Sequence, residues 1–177
     1  MFNGFRRTAA AAAAVIALGG GGVAWAATSA SASAAPTAIA RCTSNNLAVW
    51  VNADSADGTA GTTFYHLDFT NTGRSTCFLN GWPGVSATTL GRVQLGAAAA
   101  RQNGVPAKTI DIPAGGTAHS ILGYVDVQVD PSCKPATAAF LKVFAPGAFQ
   151  AKRAFFPLSV CRTGRVDLNV RRVQAGV

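Results

Sequence analysis

Between Tyr65 and Phe69 the side chains alternate: Tyr65, Leu67 and Phe69 fall on one parity, His66, Asp68 and Thr70 on the other. Period two over this length predicts a strand half on a core, with its aromatic side inward. Asn71-Thr72-Gly73 then supplies turn chemistry, because Asn and Gly tolerate positive φ and the Asn side chain can bond nearby backbone. Beyond it Cys77 and Leu79 share a parity and Phe78 takes the other. The expected unit is a central hairpin ending at Gly81-Trp82-Pro83-Gly84, where a proline without a ladder donor marks an edge or corner.

The alternation recurs along the chain. Leu47, Val49 and Val51 alternate with Ala48, Trp50 and Asn52 in a first strand, and a polar loop is expected from Asp54 to Gly61. Val93 and Leu95 mark a short strand; the following loop has room for one helical turn over Ala97 to Arg101. Ile110 and Ile112 face inward up to the Pro113–Gly116 turn. The longest run, Thr117 to Val129, carries Ile121, Val125, Val127 and Val129 on one parity. Ala139, Leu141 and Val143 oppose Phe140, Lys142 and Phe144; Ala154 to Pro157 makes a short strand, and Val166, Leu168 and Val170 the last. About seven to nine short strands between Gly, Pro and Asn turns predict an all-β, antiparallel β-sandwich, immunoglobulin-like in the broad sense.

The N-terminus departs from this pattern. Arg6 and Arg7 precede an apolar run from Ala9 to about Val23, and Ala24-Trp25-Ala26 fits a small-x-small cleavage site. Residues 1–27 are therefore expected to be a signal peptide, and 28–41 a flexible Ala/Ser linker. The apolar run is short and glycine-broken for a membrane span, so no stable span is expected after cleavage; an uncleaved anchor is the alternative. Residues 42–173 are of one-domain size. The expected location is secreted or extracellular, with cell-wall association.

Without Arg6 and Arg7 the formal charge of +8 falls to +6, and every acid is an Asp. Such a surface favours an anionic cell-envelope polymer, with a protein partner as the alternative. Nucleic acid is not expected, because the compartment is wrong and no basic stripe interleaves with stacking aromatics. Four cysteines, Cys42, Cys77, Cys133 and Cys161, in an exported chain imply two disulfides, with three connectivities open. A four-cysteine metal site is the rival, but no close C-x-x-C pair supports it.

Several short motifs recur together. They are Phe69-Thr70-Asn71-Thr72-Gly73, then Cys77, Leu79, Gly81 and Pro83-Gly84, then Ile112-Pro113-Ala114-Gly115-Gly116-Thr117-Ala118, with Cys133 and Cys161 further on. In these the chain resembles the domain-of-unknown-function family four-two-three-two of secreted actinobacterial proteins. The resemblance implies a secreted β-sandwich with no established activity. It and the order of the cysteines favour Cys42–Cys77 and Cys133–Cys161. Each bridge would close a loop of about 30 to 36 residues, roughly 3 to 4 kcal/mol apiece in the chain-entropy model.

Candidate chemistry is sparse. His66 and His119 are the only histidines. Ser120 follows His119 on a strand, so the two point to opposite faces and cannot pair as in a hydrolytic triad. No G-x-S-x-G turn is present. Without Glu, the Asp residues offer no recognisable carboxylate pair for glycoside hydrolysis. Two histidines do not complete a metal-ligand set. No catalytic residue, metal or cofactor is therefore assigned. Surface recognition remains, through Trp50, Trp82, Phe140 and Phe144, with Phe78, Tyr124 and the Phe155-Phe156 pair beside Lys152-Arg153 as further aromatics. The expected role is a non-enzymatic binding or cell-envelope module. The alternatives are an extracellular hydrolase and a proteinase inhibitor with a disulfide-braced loop. A cleft lined by His66 or His119 plus an Asp would favour the hydrolase; a flat aromatic patch would favour binding.

Overall fold

The computed structural model describes residues 38–162 and 164–176. The expected signal peptide, and the linker as far as residue 37, lie outside the described residues.

Thirteen strand segments follow one another: β1 (Ala40–Arg41), β2 (Leu47–Thr59), β3 (Thr62–Asn71), β4 (Cys77–Leu79), β5 (Gly84–Thr88), β6 (Gln94–Leu95), β7 (Ala100–Arg101), β8 (Ile110–Ile112), β9 (Thr117–Val125), β10 (Pro135–Phe144), β11 (Ala151–Cys161), β12 (Leu168–Val170) and β13 (Gln174–Ala175). Among the described residues the only helical pieces are two 3₁₀ turns, Ser44–Asn46 and Val127–Val129. The larger layer has the order β2-β3-β9-β12-β7, with β13 also on β9; the second layer is β11-β10-β5-β6; a small sheet β1-β4-β8 completes the fold. Among the described residues only β1–β4 and β12–β7 are parallel pairs. Leu67, Phe69 and Leu122 from the first layer, Val85, Leu141 and Val143 from the second, and Leu79 and Ile112 from the small sheet share one core. The all-β sandwich follows from the alternation, and among the described residues no helix is long and apolar enough to cross a membrane. Pro157 sits within β11 because β11 is an edge strand.

The cysteines pair as expected. Cys42 and Cys77 lie 4.9 Å apart at Cα across 35 positions, Cys133 and Cys161 5.2 Å across 28. Near the second bridge the buried Asp167 accepts the Cys161 backbone N–H at 2.6 Å and pairs with Arg165 Nε at 3.1 Å. Arg165 also pairs with Asp130.

Four local expectations need correction. The central hairpin is a crossover between sheets: β3 ladders with β2 and β9, whereas β4 ladders with β1 and β8. Asn71 sets this. Its fully buried side chain accepts from Gly73 N–H at 2.9 Å and donates to the carbonyls of Ser75 and Ile112 at 2.8 and 2.9 Å. The turn chemistry is present, but one of its bonds reaches another strand. The Asp54–Gly61 loop is a continuation of β2 and its turn into β3. Extra residues are absorbed between Asn52 and Asp57, where Ser55 Oγ accepts from His66 N–H at 2.7 Å and donates to the Asn52 carbonyl at 2.6 Å. That ribbon is exposed, so no apolar alternation marked it. Ala97 to Arg101 forms no helical turn; β7 pairs with β12 instead. In β9 the inward set is Ala118, Ser120 and Leu122, while Ile121 faces outward. Small residues suit that interior, since Ala118 and Ser120 stand opposite Phe69 and Leu67 of β3. The strand ends at Val125, where the Asp126 side chain accepts from Gln128 N–H and starts a turn.

Candidate functional site

The second layer turns one face to solvent. Alternation on β10 buries Leu141 and Val143 and sends Phe140, Lys142 and Phe144 outward. Register then places Phe140 opposite Phe155, Lys142 opposite Arg153, and Phe144 opposite Ala151. Two like charges thus face each other on adjacent strands. The Arg153 guanidinium lies 3.8 Å from the Phe140 ring centre and the Lys142 ammonium 5.1 Å from that of Phe144. Phe140 and Phe155 meet edge to face at 5.6 Å. Phe155 is 70% exposed, and Phe149, in the β10–β11 loop, 98%. A cleft of about 240 Å³ is lined by Thr88, Arg92, Lys142, Ala151 and Arg153, three cations and no carboxylate. Arg92 has φ 69°, the one positive value among the described non-glycine residues. Such strain persists only where its surroundings hold it, and it gathers at functional sites.

The outer face of the larger layer differs. Register aligns Trp50, Asp68, His119 and Gln174 in one row across β2, β3, β9 and β13; Asn52 and His66 stand in the next row. The imidazoles of His66 and His119 stack 4.3 Å apart, within 16° of parallel. Trp50, Asn52, His66, Asp68 and His119, with Thr117 and Gly176, line a cleft of about 430 Å³. Asp68 is only 6% exposed. Burial raises its carboxyl above the ordinary carboxylate value, an effect the His66 imidazole partly offsets. Burial, and then the charge of His66, lower His119 below the ordinary imidazole value. Ser120 points into the core and donates to the Arg171 carbonyl at 2.6 Å, so it takes no part in the cleft.

The four aromatics singled out from the sequence do not form one patch. Phe140 and Phe144 share the cationic face, and Trp50 stands on the other layer. Trp82 holds the corner: its Nε1–H donates to the Gln102 carbonyl at 2.9 Å, and Arg172 lies 4.0 Å from its ring centre. Phe78 lies under Arg41 at 4.8 Å, and the Tyr124 hydroxyl donates to the Ser159 carbonyl at 2.7 Å. Of the Phe155-Phe156 pair, only Phe155 faces out; Phe156 packs edge-on against Tyr65 at 4.9 Å. Lys142 and Arg92 were missed as site residues. The parity of Lys142 between two outward phenylalanines was the available signal; Arg92 gave none, because its place depends on the β5–β6 turn.

A family model described as domain of unknown function (DUF4232) matches residues 42–176. The chain belongs to this family. The DUF4232 match spans both layers and both disulfides. No curated protein and no solved structure matches the chain. Membership in DUF4232 assigns no chemistry, and a fold alone does not imply a function, so function has to be argued from the two faces.

Proposed function

We propose that the protein is an exported, non-enzymatic binding module that docks an anionic cell-envelope polymer on the outer face of its second layer. The observation that carries this reading is Lys142 opposite Arg153. Like charges directly opposite on a sheet destabilise it. No carboxylate lines that cleft to offset them. A bound anion would remove the repulsion and gain charge-assisted hydrogen bonds. Phe140, Phe144 and Phe155 add apolar surface beside the charges, and the basic surface would steer an acidic polymer inward. Two disulfides and the N-terminal apolar segment support export.

The cleft at His66, His119 and Asp68 has the composition named above as favouring a hydrolase. Its lining holds one carboxylate, where glycoside hydrolysis uses two. Its hydroxyl, Thr117 Oγ1, bonds Thr70 Oγ1 at 2.9 Å rather than an imidazole. Binding therefore accounts better for both faces. For the inhibitor reading, the exposed loop at Phe149 lies against Cys42 of the Cys42–Cys77 bridge, and Ser44 Oγ donates to the Gln150 carbonyl at 2.6 Å, so a braced loop is present there.

Binding to immobilised poly(glycerol phosphate) tests the reading. Saturable binding that weakens with salt is expected, with a loss of about a hundredfold in the Lys142→Ala/Arg153→Ala double variant. No binding at low salt, or equal binding by the double variant, would sink it.

A further inference from the structure

We infer that the cleft on the outer face of the larger layer is a second, independent site that takes a neutral saccharide, with Trp50 under a sugar ring and Asp68 accepting its hydroxyl hydrogens. This site shares no lining residue with the cationic face, so it does not rest on the polymer-docking reading.

The starting point is Asp68. A carboxylate nine-tenths buried normally has partners. Among the described residues none donates a hydrogen bond to it, and the imidazoles of His66 and His119 line the same cleft. Although the residue as a whole is buried, its carboxylate lines the cleft without a partner among the described residues, so the acceptor is open to a ligand there. Next to it in the sheet row, one strand spacing of about 4.8 Å away, stands Trp50. It is 45% exposed, so an indole lies open at the cleft wall. On the other side, at the same spacing, stands His119. Asn52 completes the set. Its side-chain oxygen already accepts the Asp54 N–H at 3.1 Å, which leaves the amide hydrogens to donate. The cleft thus offers an acceptor, separate donors and one aromatic plane. A polyol ring has hydroxyls that donate and accept, and a C–H face that packs on an indole. The volume suits a small ligand.

Other chemistries fit less well. A cation would meet Asp68 and Trp50, but the Asn52 amide hydrogens would face nothing able to accept. An anion would face the Asp68 carboxylate. Among the described residues no three His, Cys, Asp or Glu groups are arranged to hold a metal ion.

The test is titration of the purified protein with neutral gluco-, manno- and N-acetylglucosamine tetrasaccharides, read by calorimetry and tryptophan fluorescence. At least one should bind saturably. Asp68→Asn and Trp50→Ala should each weaken it by about tenfold or more. The Lys142→Ala/Arg153→Ala double variant should bind it within about twofold of the parent, because the sites are independent. Asp68→Asn should melt at or above the parent temperature, since a carboxylate kept for a ligand destabilises the empty protein. No saturable binding by any of the three sugars, an unchanged affinity in both cleft variants, or a lower melting temperature for Asp68→Asn would overturn the inference.

Discussion

The two outer faces of this sandwich are made by the same rule and carry opposite imbalances. On the second layer, Lys142, Arg153 and Arg92 meet without a carboxylate. On the larger layer, Asp68 is buried beside two imidazoles without a hydrogen-bond donor among the described residues. A third cluster is matched from within the chain: Arg165 bridges Asp130 and Asp167, and Asp167 also takes the Cys161 N–H. That third cluster is structural, because every charge in it is answered from within the chain. The contrast shows how to separate frame from function here. Where the fold leaves a charge unanswered at the surface of a cleft, the answer is expected from outside.

The hardest blow to the comparison is one that removes both faces together. Asn71 makes three bonds to backbone groups, two within the crossover and one to Ile112 of β8, and both layers share that interior. Asn71→Ala is expected to destabilise the protein by about 3 kcal/mol, roughly one per lost bond and more if the freed groups stay dry. Urea unfolding should show a lower midpoint at unchanged slope. Binding at both faces should fail at the same denaturant concentration. Failure of one face well before the other would mean that they do not share a frame.

The next effect divides the faces. Lys142→Ala/Arg153→Ala should abolish most polymer affinity, by about a hundredfold, while the fold is kept or slightly stabilised by loss of the like-charge pair. Circular dichroism melting alongside the binding curves checks both halves of the statement. A lower melting temperature would show that the pair braces the sheet and would dissolve the contrast with Asp68.

The limits of the sequence have the same origin as these tests. Parity along one strand was readable, so Phe140 and Phe144 were placed outward and Leu141 inward. The cysteine pairing also followed, through order and family resemblance. Partnership between strands was not readable. Asn71-Thr72-Gly73 has turn chemistry whichever sheet comes next, so a crossover looked like a hairpin. In β9 both parities carry apolar residues, and only the bulk of Leu67 and Phe69 opposite decides that Ser120 goes in and Ile121 out. For the same reason the cleft was hidden. His66 and Asp68 share a parity on β3, but that His119 stands beside them is a fact of β3–β9 register.

A smaller effect sharpens the other face. Asp68→Asn should stabilise the ligand-free protein by about 1 kcal/mol near neutral pH, since burial of the residue disfavours its charged form and no described group donates to it. The sign with pH follows from the raised carboxyl value of Asp68. Below the ordinary carboxylate range the group is neutral whether folded or unfolded, and the parent and the variant should be equally stable. As pH rises through the ordinary value toward the raised one, the unfolded chain loses its proton first and the parent falls behind. His66 and His119 face the same cleft, and the lowered His119 costs stability on acidification. The difference between parent and variant, rather than either curve alone, isolates Asp68. A difference that grows toward acid pH would contradict the assignment.

The smallest expected effect concerns Phe155. It is largely exposed and has one edge contact with Phe140, so Phe155→Ala should change stability by no more than about 0.5 kcal/mol. Its loss should weaken polymer binding only a few-fold at low salt, where the cations dominate. Salt then separates the two contributions. Screening shortens the reach of exposed charges to about 8 Å at physiological ionic strength and about 3 Å at 1 M, but leaves apolar contact in place. The proportional loss caused by Phe155→Ala should therefore persist as salt rises, while that caused by Lys142→Ala/Arg153→Ala shrinks. Trp50→Ala, on the other layer, should leave the polymer curve unmoved at every salt concentration. If Phe155→Ala fades with salt as the cation variants do, the aromatic serves only to position Arg153 over Phe140, and this face binds by charge alone.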